Sequence, residues 1–252
     1  MSLMLAIDSA TQECAVGLGR WGTSPHDPAV LGETNVAQPR AALTHLVPMV
    51  MRLLEQCDAG MMDIDAVAVG RGPGSFTGVR IAVATAKGIA HGRGVPLWGV
   101  GTLDAVAERF AGRDGLLGVV GDAMRKEVYP ALFRCSGGSV ERLEPDSVCR
   151  PEEAAARWAA SVDEPVLLAG DGLHKYSDIF VRALTDRAEI APSAMWTPSG
   201  ASLLQAAWRA GTRGQDGSAA SVLPVYTRLS DAEEAEAARG RAAGVPDGGG
   251  AK

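Results

Sequence analysis

Cysteine and histidine are scarce in this sequence, and neither is grouped. The four cysteines, Cys14, Cys57, Cys135 and Cys149, form no CxxC pair. That excludes a zinc ribbon or dithiol redox motif and reads as reduced, buried thiols. The four histidines, His26, His45, His91 and His174, lie far apart with no ligand spacing. No stretch reaches the ~18 apolar residues of a membrane span. The opening "MSLMLAIDSA" has no basic segment and meets Asp8 early, so no secretory signal is expected and the chain reads as cytoplasmic. Positive charge is in deficit: 24 Lys and Arg against 30 Asp and Glu give a net charge of −6. This argues against a broad nucleic-acid surface and leaves room only for a local basic patch. What is present, 252 residues of which 46% are hydrophobic and 21% charged, suits one large globular domain or two small ones.

The stretch "GRGPGSFTGVR" (70–80) follows an apolar, β-branched run "IDAVAVG" (64–70) and precedes the Ala-rich "VRIAVATAKGIA" (79–90). Strand, glycine loop and helix follow in order, with Ser75 or Thr77 as the helix N-cap. Gly72, Gly74, Ser75, Thr77 and Gly78 form a candidate anion loop, because amides at such a turn converge with the helix dipole. The known phosphate motifs nevertheless fail: Val79 and Arg80 stand where a P-loop needs Lys and Ser or Thr. Thr77 replaces a glycine of the dinucleotide fingerprint, and Pro73 and Thr77 replace those of a nucleophile elbow around Ser75. The alternative is a tight turn that lets the helix pack closely. The loop alone does not choose between them.

A weak duplication organises the chain. Strands are expected at 3–8, 14–19, 29–37, 64–70 and 95–100, with helices at 41–57 and 79–90. A second β-β-β-α-β series begins at "LLGVVGDAMRKEVYPALF" (116–133) and continues through a helix at Pro151 and a strand in "PVLLAGDG" (165–172). Asp8 precedes Glu13 by the same five residues that separate Asp122 from Glu127. A helix is expected at 199–211, then "PVYTRL", then a tail with no apolar period. The architecture resembles the actin-like, sugar kinase and Hsp70 ATPase superfamily. It is an α/β class of two tandem RNase H-like lobes, each a mixed five-stranded sheet with flanking helices. The lobes are expected at 1–103 and 104–230, the last segment packing back on the first lobe, with a disordered tail at 231–252. On that resemblance Asp8 and Asp122 line a cleft between the hairpins. The alternative reading is a strand-end carboxylate capping its own turn.

The motifs "LAIDSATQECAVGL", "GRGPGSFTGVRIAVATAKGIAHG", "GVGTLDAVAE", "GDAMRKEVYPALF" and "PVYTRL" together resemble the TsaB (YeaZ) family of bacterial tRNA threonylcarbamoyladenosine biosynthesis proteins, over about residues 3–229. The resemblance implies a partnership with the catalytic paralogue TsaD and the ATPase TsaE. It implies contact with tRNA only through the complex, and leaves self-association open when the chain is alone. It implies no intrinsic cofactor, with room for ATP or ADP near the junction with TsaD. TsaD carries two metal-binding histidines four residues apart in the cleft; Thr102 and Val106 stand at those positions here. Neither suits a transition metal, so no metal site is expected. A non-catalytic partner of TsaD is therefore expected. The alternative is an actin-like enzyme with its own nucleotide turnover through Asp8, Asp122 and the glycine loop.

A helical wheel over 80–91 places Ile81, Ala82, Thr85, Ala86 and Ile89 inward, and Arg80, Val83, Ala84, Lys87, Gly88 and His91 outward. Ala84 and Gly88 are a small-residue pair that admits a partner helix. In the preceding helix Leu43, Leu46, Val47, Val50, Leu53 and Leu54 form the apolar face, and Met49 and Met51 lie away from it. The outward residues of both helices are the candidate partner interface.

Overall fold

A computed structural model describes residues 2–21, 29–37, 41–212, 214 and 217–227. The tail expected at 231–252 lies outside them.

Two five-stranded sheets repeat one plan. The first has the order β3-β2-β1-β4-β5, built from β1 (Ser2–Asp8), β2 (Glu13–Trp21), β3 (Ala29–Ala37), β4 (Ile64–Gly70) and β5 (Leu97–Val100). The first three strands run antiparallel as a meander, while β4 and β5 join parallel to β1. The helices α1 (Ala41–Gln56) and α2 (Phe76–Arg93) make the crossovers that parallel pairing requires. A short α3 (Thr102–Glu108) leads to the second sheet. That sheet runs β10-β9-β6-β7-β8, with β6 (Gly115–Asp122), β7 (Val128–Ser136), β8 (Ser139–Arg142), β9 (Val166–Ala169) and β10 (Ala188–Ile190). Its pairing signs match those of the first sheet strand for strand. Its crossover helices are α4 (Pro151–Ser161) and α5 (Leu173–Leu184). The chain is two tandem RNase H-like lobes.

Strand alternation sorts the first core. Leu3, Leu5 and Ile7 of β1 join Leu46, Val50, Leu53 and Leu54 of α1 and Val79, Ala82 and Ala86 of α2. Met4 and Ala6, on the opposite face, meet Leu203, Leu204 and Ala207. Those last three belong to α6 (Gly200–Thr212), which follows the second lobe in sequence yet packs on the first sheet. The approach is close: a Cβ on Gly17 would stand 2.5 Å from the Gly200 carbonyl oxygen. The chain therefore returns to the first lobe already at Gly200. The second core is larger-grained, with the Trp158 and Phe180 rings tilted against each other at 5.3 Å and Phe133 buried in the same cluster.

Candidate functional site

The glycine loop between β4 and α2 commits several of its amides to the fold. Gly72 N donates to Thr102 Oγ1 at 3.1 Å, and Thr102 N donates back to the Gly72 carbonyl at 2.9 Å. Ser75 N donates to the Ala10 carbonyl at 2.6 Å. The Ser75 hydroxyl accepts from Gly78 N at 3.2 Å, which makes Ser75 the N-cap of α2 rather than Thr77. The Ser9 hydroxyl donates to the Gly78 carbonyl at 2.7 Å. Glycine is needed for closeness: a Cβ on Gly74 would sit 2.3 Å from the Ala10 carbonyl oxygen, and one on Gly78 1.8 Å from that of Ser9. Of the five candidate anion-loop residues, Gly72, Ser75 and Gly78 thus have their amides engaged by the fold, and Thr77 is exposed beside them. The loop clamps α2 onto the turn between β1 and β2.

The two aspartates cap their own turns, and in the same way. Asp8 Oδ1 accepts Ala10 N at 2.7 Å, and Asp122 Oδ1 accepts Met124 N at 3.1 Å, each two residues on. Their second oxygens differ. Asp8 Oδ2 accepts the Thr102 hydroxyl at 2.7 Å, and both residues are fully buried. Asp122 Oδ2 is paired with Lys175 Nζ, and Asp122 N donates to Asp171 Oδ1 at 2.9 Å. Asp8 therefore does not line an open cleft, as the superfamily resemblance implied. It is a strut sealed under the glycine loop, because Thr102 and the loop close over it.

Burial raises the Asp8 carboxyl to about 6, against the pull of the Thr102 and Ala10 hydrogen bonds, and the Asp171 charge adds to the rise. Asp171 is likewise raised to about 6 by burial. Between about pH 4 and 6 the folded chain binds protons that the unfolded chain does not, so stability falls as pH rises through that window. A displacement from about 4 to about 6 corresponds to roughly 3 kcal/mol per group. In urea unfolding these two groups should make the chain more stable near pH 4.5 than near pH 7. Asp8→Asn should flatten the slope and be relatively more stable at neutral pH. Parallel profiles for the two proteins would contradict the buried charge.

Thr102 and Val106, the two positions that the resemblance compared with metal-binding histidines, are both buried, Val106 within the second-lobe core. Among the described residues no group of three or more His, Cys, Asp and Glu side chains is placed to hold a metal ion.

The outer face of α1 and α2 needs three corrections. Val83 is buried in the first-lobe core, since the inward stripe of α2 runs through Val79, Val83, Ala86 and Ala90. Met49 is buried as well, at the edge of the stripe Leu46, Val50, Leu53 and Leu54. Val47, read as core, is instead 54% exposed and adjoins Met51, 51% exposed, one turn along. Arg80, Ala84, Gly88 and His91 are exposed and Lys87 half-buried. A Cβ on Gly88 would meet no atom within 4 Å. The structure thus leaves an apolar pair on α1 beside a small-residue row on α2. Sequence reading missed Val47, Lys175 and Asp171; for Asp171 the echo of "AVAVGRG" in "VLLAGDG" was the available signal.

Among the described residues no helix is long and apolar enough to cross a membrane. The family model for TsaD, tRNA N6-adenosine threonylcarbamoyltransferase, matches residues 36–236. The chain is 36% identical to the tRNA threonylcarbamoyladenosine biosynthesis protein TsaB of Escherichia coli, over 70% of this chain and 74% of that one. It is 29% identical to TsaB of Bacillus subtilis, over 91% and 96%. The solved structure of YeaZ from Pseudomonas aeruginosa superposes with a TM-score of 0.73 at 30% identity, covering 90% of this chain and all of that one. With the two matched lobes and the glycine-loop clamp, these likenesses establish that the chain belongs to the TsaB (YeaZ) family of tRNA threonylcarbamoyladenosine biosynthesis proteins, within the wider TsaD family.

Proposed function

We propose that the chain is the non-catalytic partner of the threonylcarbamoyltransferase TsaD, which it binds and activates, with TsaE, for N6-threonylcarbamoyladenosine formation beside the tRNA anticodon. The observation that carries this reading is the Asp8–Thr102–Gly72 strut. At the position where TsaD holds a metal ligand, this chain has a buried hydroxyl that ties the glycine loop to the first hairpin. The second hairpin is closed in turn by the Asp122–Lys175 pair. Carboxylates whose oxygens are engaged by their own turns, a buried hydroxyl and a lysine support a structural role for Asp8 and Asp122.

Activation then proceeds through docking. The exposed Val47, Met51, Ala84 and Gly88 offer apolar and small-residue surface to a pair of helices on TsaD. ATP or ADP in the complex is held at the junction, and tRNA is reached through TsaD. The test is calorimetry with purified components, beside ATP hydrolysis by the chain with and without TsaD. The chain should bind TsaD and hydrolyse no ATP by itself. Hydrolysis by the chain alone that is lost in Asp122→Asn would favour an enzyme instead.

A further inference from the structure

We infer that the segment 222–227 and the first turn of α2 build a carboxylate-binding anchor around Arg80, and that the anchor receives an acidic side chain of the protein docked on α2. The inference rests on the proposed function and names the chemistry that the partner must bring.

The segment carries Pro224–Thr227, the first four residues of the motif "PVYTRL", to which the fold gives no catalytic use. Val222 is buried in the first-lobe core, and Val225 N donates to the Arg71 carbonyl at 2.7 Å. These two contacts carry Tyr226 over the start of α2. There Arg80 Nε donates to the Tyr226 hydroxyl at 2.9 Å. The guanidinium carbon lies 3.6 Å from the centre of the Phe76 ring and 5.6 Å from that of Tyr226. The two rings are themselves 5.6 Å apart. Phe76 is 46% exposed and Tyr226 50%.

An exposed arginine ordinarily loses rotamer freedom when it pairs, which cancels much of the gain. Here a hydrogen bond and a ring stack hold it beforehand. The bond from Nε uses one of five donors and leaves those on the two Nη atoms for a planar acceptor. The rings on either side would exclude water from such a contact. The surroundings select the acceptor. Helix α2 carries Arg80, Lys87, His91 and Arg93 and no acidic residue, in a chain of net charge −6. A free phosphate would need several converging donors, and the amides of Gly72, Ser75 and Gly78 in the adjacent loop are already engaged within the fold. One ordered guanidinium on a convex helix face instead suits a carboxylate carried on a docked helix.

The test is calorimetric titration of TsaD with the wild type, Arg80→Glu, Arg80→Lys and Tyr226→Phe, at low and high salt, beside the melting temperature of each chain alone. Arg80→Glu should weaken binding about 100-fold or more, and Arg80→Lys, which keeps the charge without the fork, about 10-fold. Tyr226→Phe, which keeps the ring and releases Nε, should weaken it a few-fold. Melting temperatures should stay within about 2 °C, since both side chains are at the surface. Raising the salt should weaken the wild type more than Arg80→Glu. A folded Arg80→Glu chain that binds like the wild type would overturn the anchor alone. Arg80-dependent binding of inorganic phosphate or ADP to the isolated chain would overturn the choice of a protein carboxylate. A wild type that does not bind TsaD would overturn the proposed function, and the anchor with it.

Discussion

Gly78→Ala should unfold the chain or lower its stability by more than about 3 kcal/mol, an effect of the size reserved for steric failure in a packed interior. The added Cβ would stand 1.8 Å from the Ser9 carbonyl oxygen, which is backbone and cannot swing aside. Nor can α2 retreat easily. Retreat breaks the Ser9 hydroxyl bond to the Gly78 carbonyl and draws Val79, Ala82 and Val83 out of the first-lobe core. Gly88 on the same helix is the matched control. Its Cβ meets nothing within 4 Å, so Gly88→Ala should stabilise the isolated chain by about 0.5–1 kcal/mol through reduced backbone entropy of the unfolded state. Urea midpoints of the two variants separate these cases. Equal stability for Gly78→Ala and the wild type would mean that the loop does not clamp the hairpin.

Ala84→Glu should cost about 3 kcal/mol or more of association with TsaD, about 100-fold or more in affinity, and should leave the isolated chain folded. Ala84 is exposed between Arg80 and Gly88 on one row of α2. Docked, the new carboxylate both fills the space meant for a partner helix and loses its water. Undocked, it faces Arg80 four residues before it and Lys87 three after, pairings worth a few tenths of a kcal/mol in its favour. The signs are therefore opposite: weaker association and an unchanged or slightly raised melting temperature. Unchanged affinity would remove α2 from the interface.

Some of this was legible from residues alone, and the reasons are local. The polar turns after Asp8 and Asp122 share a spacing, and the structure gives them the same capping bond. Ser75 before an Ala-rich run announces α2 by its capping chemistry. The phase of α2 was harder. Alanine and glycine contrast weakly with their neighbours, so Val83 fell on the wrong side of the wheel although its stripe of i, i+4 and i+7 partners buries it. In α1 the same kind of error exchanged Met49 for Val47. That the last segment would pack back on the first lobe was an expectation from the resemblance; the contact that seats α6 there, Gly17 against Gly200, joins distant positions that no local pattern records. Likewise Lys175 reaches Asp122 from a helix, α5, that the sequence reading left unassigned. The anchor at Arg80 depends on a segment whose path is set by single contacts at Val222 and Val225.

In the proposed function the chain acts through its helical face and not through its own cleft. The deciding experiment is threonylcarbamoyladenosine formation on tRNA by TsaD and TsaE, supplemented with either Asp8→Asn or Ala84→Glu at matched low concentration. Asp8→Asn should support formation at the wild-type rate, and Ala84→Glu should leave it at the level without this chain. Loss of formation with folded Asp8→Asn and full formation with Ala84→Glu would contradict the claim.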